Sequence, residues 1–198
     1  MASKSSSVRE VLDGDKRVID FASLSSRWER NNCFQDIQHC YIKELTLLNF
    51  QRKQLFFSFE SRKNILRAFT AVLCNPYIET LRLGNEFVKR FDAPGDNLIN
   101  IGALTKMPSL RELSLQNHDW SPMLFKDLQA WLTGPACKLE TLELQNGMPA
   151  EDLEQLKTTF RSATSLKYYK GAFQAELQAI LDEKIPVLEE AVSARPKF

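Results

Sequence analysis

"PSLRELSLQN" runs from Pro108 to Asn117, and "CKLETLELQN" runs from Cys137 to Asn146. Both place an apolar residue ahead of two leucines at +3 and +5 and an asparagine at +7. The same template recurs upstream as Ile42, Leu45, Leu47, Asn49 and as Ile78, Leu81, Leu83, Asn85. A weaker copy starts at Leu166, continues with Tyr169 and fails at Gly171. The copies are 36 residues apart from Leu45 to Leu81 and 27 from Leu142 to Tyr169. Leucines two apart share one face of a short strand. One such strand cannot bury its leucines alone, but stacked neighbours bury them as a column.

Helical patterns lie between the strands. "SRKNILRAFTAVL" sets Ile65, Leu66, Phe69, Val72 and Leu73 on one face. In "SPMLFKDLQAWLTGP", Ser121 can cap and Pro122 fits the first turn. Leu124, Leu128, Trp131 and Leu132 form the stripe, and Gly134-Pro135 ends it. "PAEDLEQLKTTFR" gathers Glu151, Asp152 and Glu154 at its start and Arg161 at its end, as the helix dipole favours. Leu153, Leu156 and Phe160 are its apolar face. "NLINIGALTKMP" has room for one or two turns.

The quoted segments and intervening helices resemble the leucine-rich repeat family, in its longer ribonuclease-inhibitor-like form with a helix in each repeat. The resemblance covers Tyr41 to Phe173. Asparagine stands one residue earlier than in the common family pattern, and the repeats vary in length. The expected fold is therefore α/β: a short, irregular solenoid with parallel strands on the concave side and helices on the convex side. Three regions follow, a polar tail and N-terminal cap over 1–40, the repeats over 41–173, and a helical cap over 174–198. In that last region Leu177, Ile180 and Leu181 share a face, as do Leu188, Ala191 and Val192, with Pro186 separating two helices or kinking one.

The N-terminal segment admits two readings. It can cap the first repeat through Trp28. It also resembles the later part of an F-box through Val11-Leu12 and the run Phe21, Leu24, Ser26, Arg27, Trp28, although residues 1–10 hold none of the Leu-Pro opening of that motif. The F-box resemblance implies a substrate receptor that binds a ubiquitin-ligase adaptor.

Lys+Arg total 26 against Asp+Glu 25, a net charge of +1, so no global field draws nucleic acid or an anionic membrane. No apolar run reaches the ~18 residues of a membrane span, and the N-terminus lacks a secretory apolar stretch, which places the chain in the cytosol or nucleus. Cys33, Cys40, Cys74 and Cys137 share no metal-ligand spacing and read as free, mostly buried thiols. His39 beside Cys40 lacks further ligands. His118 beside Asp119 is the one catalytic candidate, for an enzyme of unrecognised type. No phosphate- or dinucleotide-binding glycine pattern occurs, and no cofactor is implied.

The resemblance to the repeat family implies a non-enzymatic module, an adaptor or regulatory subunit, that binds another protein through the concave sheet or adjoining loops. Residues alternating with the leucines must face away from the core. They form three rows: Thr46, Arg82, Ser114, Glu143, Lys170; then Glu44, Thr80, Glu112, Thr141, Tyr168; then Leu48, Gly84, Gln116, Gln145, Ala172. The polar members of these rows are the candidate protein-binding residues. Phe56, Phe57 and Phe59 in "QLFFSFE" form either core packing or an exposed aromatic patch.

Overall fold

The computed structural model describes residues 15–20, 27–48, 70–84, 101–116, 122–145 and 152–193. Among these residues six strands form one parallel sheet in strict chain order: β1 (Lys16–Asp20), β2 (Glu44–Leu48), β3 (Thr80–Leu83), β4 (Glu112–Gln116), β5 (Thr141–Gln145) and β6 (Tyr168–Gly171). The helices α1 (Arg27–His39), α2 (Pro122–Thr133), α3 (Leu153–Ser162) and α4 (Gln174–Ser193), with a 3-10 helix at Ile101–Lys106, make the second layer. Residues 70–74 are also helical. Sequential parallel order with a helical return between strands is the architecture of a strand–helix solenoid.

The leucine template sets the register. Leu45, Leu81, Leu113 and Leu142 pair in line and are at most 1% exposed. Leu47, Leu83, Leu115 and Leu144 form a second buried row. Ile42, Ile78, Leu110, Leu139 and Leu166, ahead of the strands, are buried as well. Each leucine removed from water contributes about 1.5–3 kcal/mol. From the helical layer, Phe125, Leu128, Trp131 and Leu132 of α2 and Leu156 and Phe160 of α3 close over the rows. The asparagines Asn49, Asn85, Asn117 and Asn146 lie outside the described residues, as do Ser121, Ile65, Leu66, Phe69 and the segment Phe56–Phe59.

Within residues 1–40, strand β1 adds a strand to the sheet ahead of the first leucine template. It pairs parallel with β2, Arg17 opposite Leu45 and Ile19 opposite Leu47. Its Leu-x-Leu signature is absent because Arg17 occupies the first leucine position. That guanidinium is largely buried and reaches Asp36 of α1 at 3.7 Å.

At the other end α4 is a single helix that runs through Pro186, not two helices. Proline removes one backbone hydrogen bond but keeps a helical φ. Leu177 and Leu181 are buried, and α4 packs on α3 and β6. Gln178 accepts from the Tyr169 N–H at 2.8 Å and donates to the Lys167 carbonyl at 3.0 Å. Its amide thus stands where a seventh strand would be. Lys157 of α3 reaches Glu176 at 2.9 Å, and Lys184 donates to the carbonyls of Phe160 and Ala163 at the end of α3. Gly171, at φ 152°, lies so close to β5 that a Cβ would strike the Leu144 carbonyl oxygen.

The residues directly before the six strands are Asp15, Lys43, Glu79, Arg111, Glu140 and Lys167, alternating in sign from one end to the other. Each of the last five donates its backbone N–H to the carbonyl of the previous one at 2.7–2.9 Å. Lys43 sits 3.9 Å from Asp15 and 3.8 Å from Glu79, and Lys167 sits 3.0 Å from Glu140. Skipping one repeat would set like charges side by side. The ladder therefore favours the native strand order over alternatives that the near-identical leucine motifs permit.

Candidate functional site

The outward rows form as the alternation requires. Thr46, Arg82, Ser114, Glu143 and Lys170 are in line across five strands, and so are Glu44, Thr80, Glu112, Thr141 and Tyr168. Gln116 pairs with Gln145 in the third row. Gly84 extends that row past β3, its N–H on the Leu47 carbonyl at 2.9 Å. Strand β1 adds Lys16 beside Glu44, Val18 beside Thr46 and Asp20 beside Leu48, residues that the leucine template does not find.

Not all of these side chains are available to a partner. Thr80 and Ser114 are buried, at 8% and 4% exposure. They are short, and Ser114 sits between the longer Arg82 and Glu143, so they form floor rather than contact surface. Glu112, Tyr168 and Lys170 are exposed, while Glu44, Thr46, Arg82, Thr141, Glu143 and Gln145 are half-buried.

The charges on this face pair locally. Glu44 bridges Lys16 at 2.9 Å and Arg82 at 3.5 Å. Glu143 takes Lys170 at 2.7 Å and the Gln145 amide at 2.8 Å. Burial alone would raise the Glu143 carboxyl, but Lys170 and Gln145 more than offset it and hold the group below its ordinary value of 4.5. Arg82 and Glu143, two strands apart in one row, are thus each engaged with another partner.

The strand-entry loops carry a feature that the sequence reading passed over. Tyr41 and Tyr77 are 58% and 47% exposed, with ring centroids 5.0 Å apart. Each stands directly before the first isoleucine of its template, so the repeat itself sets them side by side. Beneath them Asn75, 1% exposed, donates to the carbonyls of Ile37 and Cys40 and accepts from the Tyr77 N–H. It ties the end of α1 to the entry of β3.

His118, Phe21 and Leu24 lie outside the described residues, and Trp28 falls in the first turn of α1, with its side chain outside the described set. The cysteines are free, but only Cys137 is buried; Cys40, directly after α1, and Cys74, the last residue of a helical stretch, are exposed at helix ends. Among the described residues no group of three or more His, Cys, Asp or Glu side chains could hold a metal ion. No helix among them is long and apolar enough to cross a membrane.

No protein-family model and no curated protein matches the chain. Among solved structures, the tropomodulin C-terminal domain of Caenorhabditis elegans is similar, with a TM-score of 0.57 and 18% sequence identity over 83% of this chain and 95% of that one. The fold is of the leucine-rich-repeat type. At that identity the likeness reaches the arrangement of strands and helices and does not extend to function.

Proposed function

We propose that this chain is a non-enzymatic protein-binding module, an adaptor or regulatory subunit of the cytosol or nucleus, that holds its partner on the concave sheet face. The observation that supports this is the contrast between the two sides of the same strands. The inward rows are leucine on β2 to β5, whereas the outward rows through Thr46 and through Glu44 change residue type from strand to strand. A uniform inner side builds the scaffold; a varied, partly exposed outer side offers a surface with its own chemistry. Extended concave sheets are the surfaces solenoids use for binding.

The test is quantitative recovery of partners from cells with the wild-type chain and with Arg82→Glu and Glu143→Lys variants, alongside thermal unfolding of each. Both variants are expected to lose the partner, with stability shifts within about 1 kcal/mol because the broken ion pairs are partly exposed. Equal partner recovery by all three chains would move the site off the concave face, and the Tyr41–Tyr77 rim would be examined next.

A further inference from the structure

Most charges on the concave face satisfy one another, and Glu112 is the exception. Glu44 is shared by Lys16 and Arg82, and Glu143 holds Lys170. Glu112 is exposed and enters no ion pair among the described residues. The cations of the adjoining outward row are engaged elsewhere: Arg82 with Glu44 at 3.5 Å and Lys170 with Glu143 at 2.7 Å.

In the same row, two strands along, stands Tyr168, 57% exposed. Tyr41 and Tyr77 are on the loops, so among the described residues Tyr168 is the one large exposed aromatic of the sheet face. Between Glu112 and Tyr168 lies the short Thr141. Strands are about 4.7–4.9 Å apart, so the two long side chains rise about 9–10 Å from each other with a low floor between them. A separation of that size has room for one side chain between the Glu112 carboxylate and the Tyr168 ring.

We propose that this notch, walled by Glu112 and Tyr168 and floored by Thr141, takes an arginine side chain presented by the partner protein. The proposal rests on the concave-face reading above and names the chemistry of its occupant. A guanidinium is planar, bonds a carboxylate with two parallel N–H donors and stacks on an aromatic face. Lysine offers a more strongly hydrated point charge and matches the ring less well. An acidic group would meet the unpaired Glu112 carboxylate, and an apolar one would desolvate it without compensation.

The test is a nuclear magnetic resonance titration of the full chain, isotopically labelled, with a blocked glycine–serine pentapeptide bearing one central arginine. Saturable shifts are expected at the amides of Glu112, Thr141 and Tyr168. Glu112→Gln and Tyr168→Ala should each weaken binding about five-fold. The matching lysine peptide should bind more weakly and the glutamate peptide not at all. Shifts located elsewhere, or undiminished by either variant, would overturn the notch; equal affinity for the lysine peptide would overturn the choice of arginine. If the peptide fails while Arg82→Glu and Glu143→Lys still lose the cellular partner, the notch is wrong and the face is right. If both fail, the concave-face reading falls too.

Discussion

The four middle strands and the two end strands are built on different rules. In β2 to β5 each inward position is leucine, with a leucine on either side in the middle of the stack. At the ends the same column closes with Arg17 on β1 and Tyr169 on β6. Both are large residues with a polar tip that finds a partner off the sheet. Arg17 reaches Asp36 of α1, and the Tyr169 hydroxyl donates to the Ala172 carbonyl at 3.0 Å while its ring meets Phe160 edge-on at 5.2 Å. A middle strand needs only to match its neighbours. An end strand must also finish the stack, burying its apolar side while its polar groups are satisfied by something other than another repeat.

The comparison predicts that the C-terminal end is the most sensitive place to cut. Deleting residues 174–198 removes Leu177 and Leu181 from the core and Gln178 from the sheet edge. The truncated chain is expected to aggregate or to lose cooperative unfolding, read by size-exclusion chromatography and denaturant titration. A monomeric, equally stable truncation would show that the repeats need no closure at this end.

Within the stack, Leu113→Ala should cost about 2–5 kcal/mol, since a methyl remains where a buried leucine linked two neighbours. Urea unfolding measures it, with Thr46→Ala as the outward control, expected to shift stability by less than about 0.5 kcal/mol. Equal shifts would mean that the inward and outward rows are not distinct.

Gln178→Ala isolates the edge itself. The helix stays, but the Tyr169 N–H and Lys167 carbonyl lose their bonds, for about 1–3 kcal/mol. Hydrogen exchange should accelerate at the Tyr169 amide before any other amide of the sheet. Unchanged exchange there would show that α4 shields β6 by bulk alone.

The smallest effect is expected on the outward face. The Glu143 carboxyl is held below 4.5 in the folded state, so the folded chain binds fewer protons than the unfolded one as the pH falls. Its contribution is complete above pH 4.5 and is lost as the pH drops through the lowered value. Glu143→Gln should flatten that part of the acid stability curve by no more than about 1 kcal/mol, the range of a partly exposed pair. Lys170→Met should do the same in part. A steeper acid loss in either variant would contradict the sign.

How much was legible in the sequence follows the same division. Leu45, Leu81, Leu113 and Leu142 gave away four strands, their faces and their register, because repeated nearest-neighbour packing selects one residue type at one spacing. Strand β6 was visible only through Leu166 and Tyr169. Strand β1 was invisible, since nothing local in "KRVID" distinguishes an arginine that ends a column from one in a polar tail. For α4 the sequence left open whether Pro186 separates two helices or lies within one, and the structure has one.

By itself, the sequence determined the inside of this protein: period, strand face and the residues of the outward rows follow from alternation and burial of leucine. Only the tertiary structure decided which outward side chains are open. Ser114 and Glu112 alternate with the same leucines, yet Ser114 is covered by its row neighbours and Glu112 stands clear. Likewise Asp15 through Lys167 are six scattered charges until the sheet sets them in one line, where their alternation acquires meaning. Burial in a repeat is decided by neighbours one period away, which the sequence encodes as a pattern. Exposure and pairing on the surface depend on lengths and charges across strands, and those contacts exist only once the stack has formed.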